Sequence, residues 1–268
     1  MLDAFFLSVE PGQRFCILHT PQGAPSRGVV YVPPFAEEMN KSRRMAALQA
    51  RRLANEGIAV LQIDLYGCGD SSGDFGAARW DHWKRDIEAA IGLLSQRFAC
   101  PVSLWGLRLG ALLAAQIRHP RVDHLLLWQP VLSGSQFLSQ FLRLRVAGEM
   151  LASGAATTAV RELAQALRAG TSLEIAGYDL HPDLATAIDG LKLDALVPSV
   201  RRVDWLEVVA DPALSLRPPA RRVLDAWQAR GIDAKAAQAP GEPFWTTVEI
   251  AVCEDLLALT TQTMRALA

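Results

Sequence analysis

The sequence lacks several features that would narrow its class. It has only four cysteines, Cys16, Cys68, Cys100 and Cys253, with no C-x-x-C pair. That excludes a disulfide-stapled or thioredoxin-like chain and reads as the reduced thiols of a cytoplasmic protein. No apolar run approaches the roughly 18 residues of a membrane span, and the longest are broken by Arg or Gln. The N-terminus, Met1-Leu2-Asp3-Ala4-Phe5-Phe6, has neither a basic leader region nor a small-residue cleavage site, so no secretory signal is expected. Neither sign of charge dominates: 27 Lys and Arg against 28 Asp and Glu leave a net charge of −1. Nucleic acid is therefore not an expected partner. There is no H-x-x-x-H, hence no metal site of familiar spacing, and nothing in the sequence asks for a cofactor. Internal repeats and low-complexity tracts are absent as well.

What is present is a chain of 268 residues, half of them hydrophobic, enough for one large α/β domain with an insertion. Two short runs, 4–9 and 13–20, flank Glu10-Pro11-Gly12 and predict a hairpin. Buried strands are expected at Gly28–Val32, Ile58–Asp64, Val102–Leu107 and His124–Trp128. Helices are expected over Lys41–Glu56 and Trp80–Phe98, and from Leu109 to near His119. Strands that alternate with helices in this way predict a mostly parallel sheet covered on both faces. Between about 133 and 200 the pattern changes. Phe137, Phe141, Leu144 and Met150 suggest one amphipathic helix and Val160–Leu167 another. Thr171–Tyr178 suggests a short strand leading to a further helix. A helical cap is expected there, with the sheet resuming at Val203–Asp211 and Ile232–Ala237 and a closing helix over Glu249–Leu267. The division is 1–132 with 201–268 as core, and 133–200 as cap.

The most informative stretch is Val102-Ser103-Leu104-Trp105-Gly106-Leu107-Arg108-Leu109-Gly110-Ala111. It is a strand, a Gly-x-Arg-x-Gly turn and a helix start, the layout of a nucleophile elbow. Its order and spacing, with Pro33-Pro34-Phe35-Ala36-Glu37-Glu38 in the oxyanion-loop position, Asp64-x-x-Gly67-x-Gly69-x-Ser71-x-Gly73 and a strand-end Asp211, resemble the α/β-hydrolase superfamily. The phrases around Pro33–Arg44 and Trp105–Ala111 further resemble the "hydrolase 2" group associated with exosortase A loci, which accompany exopolysaccharide synthesis and PEP-CTERM sorting. The resemblance implies a hydrolase of the ester, thioester or amide class.

The superfamily's chemistry needs a nucleophile, an acid and a base, in that chain order. Arg108 stands at the apex, and a guanidinium is no nucleophile. Asp211 fits the acid. The loop that should hold the base reads Ala239-Pro240-Gly241-Glu242-Pro243-Phe244-Trp245, and no histidine follows His181. Arg108, Asp211 and Glu242 therefore occupy the triad-equivalent positions, and a degenerate triad is expected. A cation at a helix N-terminus is unfavourable by about 0.3–1 kcal/mol, so a counter-charge is needed. Candidates are an internal carboxylate from Glu37, Glu38, Asp211 or Glu242, or an anionic ligand. Phe35, Glu37, Glu38, Arg108 and Leu109 are the expected ligand contacts. Cys68, His19, His82 and His181 read as structural or surface residues. Two functions stay open: a hydrolase with an unorthodox site, and a non-catalytic binder of a small acyl or anionic molecule.

Overall fold

The computed structural model describes residues 1–153, 159–213 and 215–267. Its main sheet has eight strands in the order β1-β2-β4-β3-β5-β6-β9-β10. These are β1 (Leu2–Ser8), β2 (Gln13–His19), β3 (Arg27–Val32), β4 (Ile58–Ile63), β5 (Val102–Leu107), β6 (Val122–Trp128), β9 (Arg202–Val209) and β10 (Asp233–Pro240). The hairpin β1–β2 joins β4 antiparallel, and every other pairing is parallel. All the parallel strands therefore end at one edge, with Pro33, Arg108 and Gln129 just beyond it, and start at the other.

Side chains alternate across the pleat. Val30, Leu104, Leu125 and Leu127 face a core shared with α2 (Trp80–Arg97), the short α3 (Leu109–Ala114) and α7 (Pro218–Gln228). Val29, Trp105, Leu126 and Trp128 face the other core, under α1 (Glu37–Asn55) and α8 (Glu254–Arg265). A strand buried on both faces must be apolar throughout, which is why β3 and β5 read as continuous runs.

The helical insertion comprises α4 (Gly134–Ser153), α5 (Val160–Arg168), a hairpin of β7 (Leu173–Ile175) and β8 (Tyr178–Leu180), and α6 (Pro182–Asp189). The expected single strand here is a hairpin because Ala176 and Gly177 both take positive φ, 50° and 83°, the turn that a two-residue hairpin requires. Phe137 and Phe141 are buried, but Leu144 and Met150 of the same expected stripe are exposed. Residues 154–158 of the expected cap lie outside the described residues.

Three helix limits differ from expectation. The first helix starts at Glu37 rather than Lys41, so both acids sit in its first turn, where they favour the macrodipole. The elbow helix stops at Ala114, where Gln116 N and Ile117 N donate to carbonyls three residues back and Gln116 Oε1 is held by Trp80 Nε1 at 2.6 Å. The last helix starts at Glu254 rather than Glu249, with Cys253 anchored just before it by its thiol on Pro240 O, 3.4 Å.

Candidate functional site

The elbow is real. Gly106 and Gly110 are required there: a Cβ on Gly106 would lie 2.5 Å from Ala111 Cα, and one on Gly110 would lie 2.4 Å from the carbonyl oxygens of Val32 and Pro33. Arg108 sits at φ 55°, ψ −118°, and Ala36 in the facing loop takes almost the same conformation, φ 52°, ψ −127°. Such backbone costs on the order of 1–3 kcal/mol per residue for a side chain with a Cβ.

Arg108 Nε donates to Glu38 Oε1 at 3.1 Å, and the guanidinium lies 5.4 Å from the centroid of the Trp245 ring. The hydrogen-bond partner of the elbow cation is thus Glu38. Burial pushes the Glu38 carboxyl up to about 7, against the opposing pull of Arg108. Its Oε2 is buried without a partner among the described residues, as is Glu37 Oε2. Burial raises Glu37 too. Asp211 and Glu242 do not join this group. Asp211 is exposed and accepts from Ala213 N at 2.9 Å. The Glu242 side chain is exposed, with no hydrogen-bond partner among the described residues.

Little room is left at the elbow. Phe35 packs edge-on against Phe75, Trp83, Phe137 and Phe141, with centroids 5.0–5.9 Å apart. The cavity beside it, lined by Phe35, Leu109 and Cys68 among others, measures about 10 Å³, close to the space of one water. The Cys68 thiol is pushed up by burial, then by Asp64, and is no ready nucleophile. His181 caps α6, its Nδ1 accepting from Asp183 N at 3.1 Å. His19 lies 3.0 Å from Gln62, and His82 packs against Tyr66.

A second cluster lies at the opposite edge of the sheet. Ser103, His124 and Asp204 stand near the amino ends of β5, β6 and β9, and Ser103 and His124 are register partners. His124 Nδ1 is 3.0 Å from Ser103 Oγ, and His124 Nε2 is 3.0 Å from Asp204 Oδ2. Arg202 Nε donates to the same Asp204 oxygen at 2.7 Å, and Arg27 Nη1 donates to Ser103 Oγ at 3.1 Å. Burial lowers the His124 pKa, so the ring is neutral near pH 7 despite Asp204. Burial alone would raise Asp204, but the hydrogen bonds from His124 and Arg202 outweigh it and lower it. With Asp204 ionised, the proton sits on Nε2 and Nδ1 is free to accept the Ser103 hydroxyl proton. That is the polarity of a general base, with the two ring nitrogens exchanged relative to serine proteases. Ser103 is 0% and His124 1% exposed, and five residues of strand separate Ser103 from Arg108, about 16 Å.

The expectation of a degenerate triad is therefore corrected. A Ser-His-Asp hydrogen-bonded set exists, so the chain is not reduced to Arg108, Asp211 and Glu242, and it is not a pseudoenzyme for want of a nucleophile and base. Sequence reasoning missed it because it sought a base after the last strand, whereas the set runs Ser103, His124, Asp204 in chain order. The available signal was a polar residue near the start of each of three strands rich in apolar residues, in Val102-Ser103-Leu104, Asp123-His124-Leu125 and Val203-Asp204-Trp205.

Residues 24–190 match the sequence profile described as serine aminopeptidase, S33. The chain belongs to the serine aminopeptidase S33 family. Solved structures similar to this S33 chain include Est1E of Butyrivibrio proteoclasticus with ferulic acid bound. It has 17% identity and TM-score 0.67, with 98% of this chain and 97% of that chain covered. A thermostable carboxyl esterase of Bacillus coagulans has 12% identity, TM-score 0.66 and coverage of 99% and 97%. Proline iminopeptidase of Mycobacterium smegmatis has 14% identity, TM-score 0.62 and 98% coverage of each chain. These identities speak for the fold alone. A search of curated proteins finds no match. None of these comparisons points to exosortase loci or exopolysaccharide synthesis, so the narrower resemblance is withdrawn. Among the described residues no helix is long and apolar enough to cross a membrane, and none form a metal-binding cluster.

Proposed function

We propose that the chain is an acyl-transfer hydrolase in which Ser103 is the nucleophile, His124 its base and Asp204 the carboxylate that orients the ring. The observation that carries the reading is the unbroken hydrogen-bonded run from Ser103 Oγ through His124 to Asp204, 3.0 Å at each step. As Ser103 Oγ attacks a carbonyl carbon, its proton passes to His124 Nδ1, and the imidazolium so formed is stabilised by ionised Asp204. The proton then goes from Nδ1 to the leaving group, and water repeats the sequence to release the acid. Arg27, donating to Ser103 Oγ, favours negative charge on that oxygen. The relay is buried, so the reading requires the amino ends of the strands to open for a substrate, beside Asp123, whose side chain is 38% exposed. Est1E, with ferulic acid bound, supports a small acyl substrate by analogy of fold. Residues 133–200 form the cap. The Arg108–Glu38 pair with Phe35, Glu37 and Leu109 holds the closed carboxyl edge together. The four free cysteines suit a cytoplasmic protein.

The test is labelling with a fluorophosphonate probe alongside hydrolysis of p-nitrophenyl acetate. Wild type is expected to label at Ser103, and Ser103→Ala is expected to lose the label and about 10³-fold or more of the turnover. Turnover unchanged in Ser103→Ala, or a label on another residue, overturns the reading. A second reading rests on the burial of the same groups. Arg27, Ser103, His124, Asp204 and Arg202 hydrogen-bond across β3, β5, β6 and β9, which makes the set a clamp on the sheet. On that reading wild type takes no label, and Ser103→Ala lowers only the melting temperature.

A further inference from the structure

A groove at the amino ends of the parallel strands, about 1010 Å³, lined by Asp123 but by none of Ser103, His124 and Asp204, has a marked charge bias. Arg118, His119, Arg121, Arg201 and Arg230 line it, from the loops that precede β6, β9 and β10. None of the four arginines forms an ion pair with a described residue, and Arg118, Arg121, Arg201 and Arg230 are all exposed. Among the described residues Asp123 is the only acid in the lining, and Arg27 already holds it, Nη1 to Oδ1 at 2.6 Å and Nη2 to Oδ2 at 3.3 Å. The carboxyl ends of α2, α3 and α7 point to this edge and offer roughly −0.5 charge each. That is at most about −1.5 against four full positive charges. In a chain of net charge −1, so many unpaired guanidinium groups around one concavity amount to a focused positive field. The volume is at the upper end of small-molecule sites, about 300–1,000 Å³.

We propose that this groove binds a small phosphate-bearing molecule with two or more negative charges. Resting on the relay reading above, this phosphate is the part of the substrate remote from the acyl group that Ser103 attacks. Guanidinium forks match phosphate oxygens in pairs, and a bound phosphate anchors the rest of the molecule beside Asp123.

The probe is inorganic pyrophosphate, followed by titration calorimetry on the full chain. Wild type is expected to bind it, more weakly as salt rises. Arg121→Gln/Arg201→Gln is expected to weaken binding by about tenfold or more, whereas Arg44→Gln, on an exposed turn of α1, leaves it unchanged. No binding to wild type, equal binding to the double variant, or binding of a DNA or RNA duplex without pyrophosphate overturns the proposal. The two readings fail separately. Pyrophosphate binding that persists in a protein that takes no fluorophosphonate label keeps the groove and removes the relay. Labelling of Ser103 that pyrophosphate neither slows nor accompanies by binding keeps the relay and removes the groove.

Discussion

Replacing Glu38 by Gln tests how the elbow is held. Glu38 is 8% exposed, and burial lifts its carboxyl from an ordinary 4.5 to about 7, against the Arg108 charge. The folded protein therefore holds this proton more tightly than the unfolded chain does. The sign follows: the stability it contributes is fully present below about pH 4.5 and is lost as pH rises through about 7. The interval corresponds to about 3 kcal/mol as an upper figure. Burial lowers the pKa of His19, His82 and His124, and these act in the opposite direction, gaining stability as pH rises through their range. The observable is therefore the difference between wild type and Glu38→Gln, in which the histidines cancel. The glutamine Oε1 can still accept from Arg108 Nε, so the geometry survives. Urea denaturation from about pH 5 to about pH 8 is expected to show wild type losing about 2–3 kcal/mol relative to the variant. Parallel pH profiles for the two proteins would refute the claim that a buried, proton-holding Glu38 is the partner of Arg108.

Two further outcomes follow from the packing of the carboxyl edge. Phe35→Ala removes the ring at the centre of four aromatic contacts. It is expected to cost about 3–5 kcal/mol in urea denaturation and to open an apolar cavity that takes up benzene; a loss under about 1 kcal/mol would show that the cap does not rest on Phe35. Gly110→Ala drives a Cβ to within 2.4 Å of two backbone carbonyl oxygens, which no side-chain rotation relieves. Its expected cost exceeds about 3 kcal/mol, and near-wild-type melting would contradict the tight crossing at the elbow.

Much of the fold was legible from periodicity. Continuous apolar runs mark strands buried on both faces, and the spacing of Trp83, Ile87, Ile91 and Leu94 marks the inner stripe of α2. The glycines at 106 and 110 mark a crossing too tight for a Cβ, so the elbow and the strain at Arg108 could be located before any coordinates. Helix limits were less legible. They depend on contacts distant in sequence, such as Gln116 with Trp80, 36 residues apart, and Cys253 with Pro240.

The candidate site divides in the same way. That Arg108 occupies the apex is written in one line of sequence, because an elbow is a local structure. That Glu38 is its partner was one possibility among several carboxylates, and only the packing of α1 against the elbow selected it. Ser103, His124 and Asp204 lie on three strands and are separated by 21 and 80 residues. Each alone is an ordinary polar residue at the start of a strand. Parallel pairing of β5, β6 and β9 brings their first residues to one edge. Among the described residues, burial then leaves the three side chains only one another and two arginines as partners. The sequence by itself determined the elements, their alternation and the identity of the apex residue, since these follow from periodicity and local sterics. Tertiary structure alone decided which polar groups meet and which edge carries the unpaired positive charge, since strand order and register set those distances.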